Sequence, residues 1–214
     1  MTFKVAVLAS TRGTDLQAII DESEAGLMPG VEIVRVVSNM RGCGALEKAR
    51  AHGIEDVFVG PKKVDGSKKT REEFDADLVE AVRGSAAGGN VDLVCLIGYM
   101  RILTPVFVKA FEGQIINVHP ALLPKYGGPG FFGANVHEAV LASDEEETGM
   151  TIHYVTEEVD GGPILLQKTT LIDDGDTPDD LKEKVQGLEK KWYPEAIRLI
   201  YKEKMANLDG HLES

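Results

Sequence analysis

Cysteine is nearly absent from this chain: Cys43 and Cys95 are the only two among 214 residues, far apart and without metal-ligand spacing. That excludes a disulfide scaffold and a cysteine-based zinc site, and both thiols read as reduced core or near-core residues. Basic charge is also short, with 23 Lys and Arg against 35 Asp and Glu. Gripping a nucleic-acid backbone requires a basic face that replaces counterions, so the balance points to small-molecule partners and away from nucleic acid. No apolar run approaches the roughly 20 residues of a membrane-spanning helix. The opening MTFKVAVLAS enters a short apolar strand with no cleavage pattern, and the expectation is a cytoplasmic protein without membrane association.

What is present is regular alternation. With 43% hydrophobic residues the chain has enough apolar material for one full core, and a single domain over residues 1–214 is expected. Short Val/Ile/Leu-rich runs (KVAVLAS, VEIVRVVSN, DVFVG, VDLVCLIGYM, QIINVHP) alternate with helical patterns such as LQAIIDESEAG, ALEKARAHG and REEFDADLVEAVRG. This predicts an α/β, doubly wound, mostly parallel sheet with helices on both faces. VDLVCLIG is apolar on both alternating sets, which marks a central strand. Two strands then flank a Gly-Gly-Pro turn in TGMTIHYVTEEVDGGPILLQKTTLI, and a long C-terminal helix begins at the Thr-Pro of TPDDLKEKV. Flexible connections are expected at PKKVDGSKK, GSAAGGN and YGGPGFFGAN.

In an open parallel sheet, ligands gather beyond the carboxyl ends of the strands, so the residues directly after each strand carry most information. After the first strand, ASTRGTDLQAII places Gly13 in a tight turn and Thr14 with Gln17 in the Thr-x-x-Gln capping pattern of a helix start. Backbone NH groups and the helix dipole suit a phosphate there, and the same residues suit an ordinary capped turn, since neither a P-loop nor a three-glycine fingerprint is present. Asp15 adds a negative charge beside that turn, tolerable if it caps NH groups or points away. In GYMRILTP, Arg101 stands between apolar neighbours, either as a solvated strand-end arginine or as a site residue. In IINVHPALLPKYGG, Asn117 and His119 lie two apart on an extended strand and therefore face one side. In VTEEVDGGPILL, Asp160 occupies a turn whose glycines let backbone approach a substrate closely.

These residues gain meaning together. An asparagine amide donates to a developing oxyanion, an imidazole assists with protons or charge, and a carboxylate holds the imidazole and raises its pKa. That set suits acyl transfer. No serine or cysteine sits in a nucleophile elbow, so the attacking group is expected to belong to the substrate.

Through GTDLQAIID, VSN, GYMRILTP, INVHPALLPKY, VHEAVL, GMTIHYVTEEVDGGPILLQ and VQGLEKKWYP, the chain resembles the phosphoribosylglycinamide formyltransferases almost end to end. The resemblance implies a Rossmann-like formyltransferase fold, and transfer of a formyl group from 10-formyltetrahydrofolate, as co-substrate, to the glycyl amine of the ribonucleotide. It implies no metal and no nicotinamide. By position it makes Asn117, His119 and Asp160 the catalytic trio, and Gly13, Thr14 and Asp15 the phosphate turn, with Gln186 and Glu189 also holding the ribonucleotide. It assigns Arg71, Met100, Arg101, Ile102, Leu103, Asn117 and the loop Thr156, Glu157, Glu158, Val159, Asp160 to the folate. The N-terminal half is then expected to bind the ribonucleotide and the C-terminal half the folate, in a monomer or weak homodimer. Two departures stand out: Thr14-Asp15 replaces the familiar Ser-Asn, and KYGGPGFFGANVHEAV replaces a shorter segment. The lysines at 62, 63, 68 and 69 read either as a solvated loop or as an attraction for a polyglutamate folate tail. Methionyl-tRNA formyltransferase would need a basic RNA-gripping domain, formyltetrahydrofolate hydrolase usually carries an additional regulatory domain, and a non-catalytic folate-binding module would not need the trio.

Overall fold

The computed structural model describes residues 2–84 and 90–212. In chain order the elements are β1 Phe3–Ala9, α1 Thr14–Glu24, β2 Val31–Ser38, α2 Gly44–Ala51, β3 Glu55–Phe58, α3 Arg71–Arg83 and β4 Leu93–Ile97. They continue with α4 Pro105–Ala110, β5 Ile115–His119, α5 Ala134–Leu141, β6 Glu147–Tyr154, β7 Ile164–Leu171 and α6 Pro178–Leu212. Most of the small-residue stretch expected to be a flexible connection, residues 85–89, lies outside the described residues.

Seven strands form one sheet in the order β3-β2-β1-β4-β5-β6-β7. The pairings from β3 to β5 are parallel, and β6 and β7 add in antiparallel fashion. β4, the run LVCLI, is buried at every position, as a strand covered on both faces must be. Alternation along β1 distributes the core between the two faces. Phe3, Val5 and Val7 pack with Leu16 of α1, Ala45 of α2 and Val185 and Tyr193 of α6. Ala6 and Leu8 pack instead with Phe74 and Leu78 of α3 and Phe107 of α4. Helices therefore cover both faces.

The strand order reverses between β1 and β4, so a crevice opens beyond their carboxyl ends. Its rim is tied across the two strands: Ser10 N donates to the Gly98 carbonyl at 3.2 Å, and Met100 N to Ser10 Oγ at 3.1 Å. Where the sequence signals a cap, α6 obeys, with Asp180 N donating to Thr177 Oγ1 at 3.3 Å ahead of Pro178. α1 does not. Its N-cap is Gly13 at φ 68 and no side chain caps it, which overturns the expected Thr14–Gln17 capping box. The Gly13 carbonyl already accepts from Gln17 N at 3.1 Å, making Thr14 the first helical residue. Gln17 turns sideways, donating to Asp21 at 2.8 Å and accepting from Lys48 at 3.1 Å.

Candidate active site

β5 ends with its polar pair at the mouth of the sheet, and both residues enter one cleft of about 700 Å³ together with Asp160. That volume lies within the usual range for small-molecule sites, about 300–1,000 Å³. Asn117 pairs in register with His153 of the neighbouring β6, so two polar side chains stand on the same face of adjacent strands. Asn117 Nδ2 lies 3.2 Å from His153 Nε2, and His153 Nδ1 lies 3.0 Å from the Tyr154 carbonyl. A carbonyl only accepts, so Nδ1 carries the hydrogen and Nε2 accepts from the amide. One amide N–H of Asn117 is thus engaged, and the other remains for the cleft.

His119 is almost wholly enclosed. Its Nε2 lies 2.5 Å from the Tyr126 carbonyl and its Nδ1 3.5 Å from Asp160 Oδ2. Burial holds its pKa below the ordinary histidine value, against the opposing pull of Asp160 and the Tyr126 carbonyl. Asp160 is itself half enclosed, and burial works against its charge. The His153 ring 3.5 Å away, the Gly128 N–H donating at 3.0 Å and the nearby His119 outweigh that penalty and hold the carboxyl below its usual range. Among the described residues Asp160 alone, other than glycines, has positive φ, at 56°. Such backbone is costly and persists where neighbours over-determine it, commonly at functional sites.

The cleft gathers most of the residues singled out in the sequence. Thr14, Asp15, Gln186 and Glu189 line it from α1 and α6, the helices on one face of the sheet, and Met100, Arg101, Ile102 and Leu103 line it with Thr156, Glu157, Glu158 and Val159. Arg101 also stacks its guanidinium 4.1 Å from the centre of the Phe74 ring. Arg71 is not in the wall. It begins α3 and donates from Nη2 to the Ile102 carbonyl at 3.0 Å, bracing the segment that is. Gly13 contributes the turn, not the lining: a Cβ there would stand 2.9 Å from the Ala45 Cα. In the lysine-rich loop Lys63 pairs with Glu73 and Lys69 with Asp77, so two of the four charges are taken by α3.

Two histidines of the wall escaped the sequence reading. His153 carried a signal, since Thr151 and His153 alternate along a strand beside Asn117, but only the register brings it to the amide. His137 on α5 is buried in the wall with its Nδ1 unpartnered. The longer segment after Lys125 also reaches the site, with Gly128 through Gly133 lining the cleft and Phe131 packed edge-on to Tyr126 at 6.2 Å.

A switch-point cleft with an amide, three imidazoles and a carboxylate defines an α/β group-transfer enzyme. Residues 3–197 match the formyl transferase family, and the chain belongs to it. It is 37% identical to the phosphoribosylglycinamide formyltransferase of Escherichia coli K12, over 96% of this chain and 93% of that protein. It is 41% identical to the trifunctional purine biosynthetic protein adenosine-3 of Gallus gallus over 92% of this chain, which spans only 18% of that protein's length. Among solved structures, glycinamide ribonucleotide transformylase 1 of Symbiobacterium toebii matches with a TM-score of 0.82 and 36% identity, covering 92% of this chain and 87% of the other.

Proposed function

We propose that this chain transfers the formyl group of 10-formyltetrahydrofolate to the amine of N1-(5-phospho-D-ribosyl)glycinamide, giving the formylated ribonucleotide and tetrahydrofolate in purine biosynthesis. The observation that carries this reading is the Asn117 amide, oriented by His153 beside His119 and Asp160 in one cleft. The cleft's chemistry fits both substrates. Met100, Ile102, Leu103, Val155 and Val159 offer an apolar wall suited to a flat ring. The same cleft offers the uncapped start of α1, which suits a phosphate, and the polar side chains of Gln186 and Glu189, which suit ribose hydroxyls.

The formyl donor, when bound, supplies a carbonyl carbon open to attack by an amine. The chain's residues meet the charges this creates. The free N–H of Asn117 donates to oxygen as it gains negative charge, an interaction stronger in the transition state than in the ground state. Neutral His119 accepts a proton at Nδ1, facing Asp160, while its Nε2–H remains with the Tyr126 carbonyl. Asp160 stabilises the imidazolium so formed and supports proton passage toward the leaving nitrogen.

Loss of one oxyanion donor typically lowers kcat about 10²- to 10³-fold. Asn117→Ala, His119→Ala and Asp160→Asn are each expected to lower kcat by about that factor, with both dissociation constants within a few-fold of the parent. If the pair acts as one unit, Asn117→Ala/His119→Ala loses far less than the product of the single effects. Near-parental turnover in any folded single variant removes that residue from the mechanism.

A further inference from the structure

The acceptor end of the cleft contains two enclosed carboxyl groups. Asp15, in the first turn of α1, is 8% exposed, and Glu189 of α6 is 7% exposed. Both line the cleft, and Asp15 Oδ1 is fully buried with no hydrogen-bond partner. An unpartnered carboxylate oxygen in such a place is expensive, and a second carboxylate within electrostatic reach makes it more so. Burial lifts Asp15 to about 6, against the pull of Lys190. Burial and the charge of Asp15 raise Glu189 well above its ordinary range.

The remaining charged and titratable groups are few. Lys190 acts on both carboxyls from α6, and Tyr193, also on α6, feels both while its hydroxyl donates to the Leu96 carbonyl at 3.1 Å. Cys95 of β4 lies beside Tyr193, and Arg12, Lys182 and His137 share the cleft. Toward α2, the group beside Asp15's helix is Gln17, held by Asp21 and Lys48 and 3.3 Å from His52 Nε2. Lys190, Arg12 and Lys182 together do not balance two carboxylates and an incoming phosphate dianion.

We propose that Asp15 and Glu189 act as one unit holding a single proton when the phosphate-bearing acceptor is bound, which makes this end of the cleft a proton-gated anion site. The proton removes one of the charges that would face the phosphate at the start of α1. A neutral aspartic acid also donates through O–H, giving the buried pair a donor and an acceptor in place of two competing acceptors. Acceptor binding then draws a proton from solvent on the alkaline side, and affinity declines as both carboxyls ionise. The inference rests on the reading that α1 receives the phosphate.

Ribose 5-phosphate tests it, because it carries the phosphate and sugar without a titrating amine. Calorimetric titration of the intact protein in two buffers of different ionisation heat, at several pH values between 7 and 9, measures protons bound with the ligand. Uptake approaching one proton is expected, with Kd rising up to about tenfold per pH unit at the alkaline end. Asp15→Asn and Glu189→Gln, either of which suffices if the other fails to fold, are expected to abolish the uptake and flatten Kd to within about twofold across that range. Binding without uptake in the parent, or uptake persisting in a folded variant, overturns the inference and leaves the proposed reaction standing. No binding of ribose 5-phosphate at any pH overturns it too, and formyl transfer to glycinamide ribonucleotide then tells whether the functional reading falls with it.

Discussion

His119 is held between opposing influences: burial disfavours its charge, and Asp160 and the Tyr126 carbonyl favour it. The balance lies below the ordinary value of 6.5, so the imidazole is neutral at neutral pH and free to accept a proton. If that neutral form works, kcat falls on the acid side with an apparent pKa below 6.5, measurable in a pH–rate profile. An acid limb above that value contradicts the assignment. Asp160→Asn removes the stabilising carboxylate, so the limb of its residual activity moves further toward acid. Asp15 makes a separate prediction about stability. Its folded pKa is raised from 3.8 to about 6, so its contribution favours the folded state below 3.8 and is lost as pH rises through about 6. Asp15→Asn is therefore expected to stabilise the fold by roughly 1–2 kcal/mol at pH 8 and hardly at pH 4, as read by denaturant unfolding at both. Equal effects at the two pH values would mean that the aspartate's charge is not the cause.

At the scale of elements, the start of α1 links fold and site. Gly13 sits at φ 68 with its Cα against α2, so Gly13→Ala adds both backbone strain and a contact of 2.9 Å with Ala45. A destabilisation of about 1–3 kcal/mol follows from the strain, with at least tenfold weaker ribonucleotide binding and little change in folate binding, as measured by titrating each ligand separately. Equal loss of both ligands would reject the phosphate assignment. The elements around this turn were readable because their signals are local: the apolar run of β4, the alternation of β1, the Thr-Pro start of α6. The cap of α1 departs from its signal because Thr14 and Gln17 satisfy a capping pattern that the glycine before them pre-empts. His153 was invisible for another reason. Its work depends on lying opposite Asn117 across an antiparallel pair, and register between strands more than thirty residues apart is not written in either strand alone. Arg71, assigned to the folate by resemblance, is exposed at the start of α3 and donates to the Ile102 carbonyl, a contact across thirty-one residues that neither segment announces alone.

For the whole molecule, the sheet order brings residues that follow β1, β4 and β5 and those of the β6–β7 turn to one crevice, so apolar side chains, the start of α1 and the Asn117, His119 and Asp160 group share one cleft. Under the proposed function this arrangement delivers a formyl group to an amine. The most direct measurement is a transfer assay with formyl-labelled 10-formyltetrahydrofolate and three acceptors offered separately: glycinamide ribonucleotide, initiator methionyl-tRNA and water alone. Label is expected in the formylated ribonucleotide, with transfer to tRNA and release as formate slower by at least about a hundredfold, the scale of a lost transition-state contact. Label recovered mainly as formate with the ribonucleotide present, or mainly on the tRNA, would contradict that function.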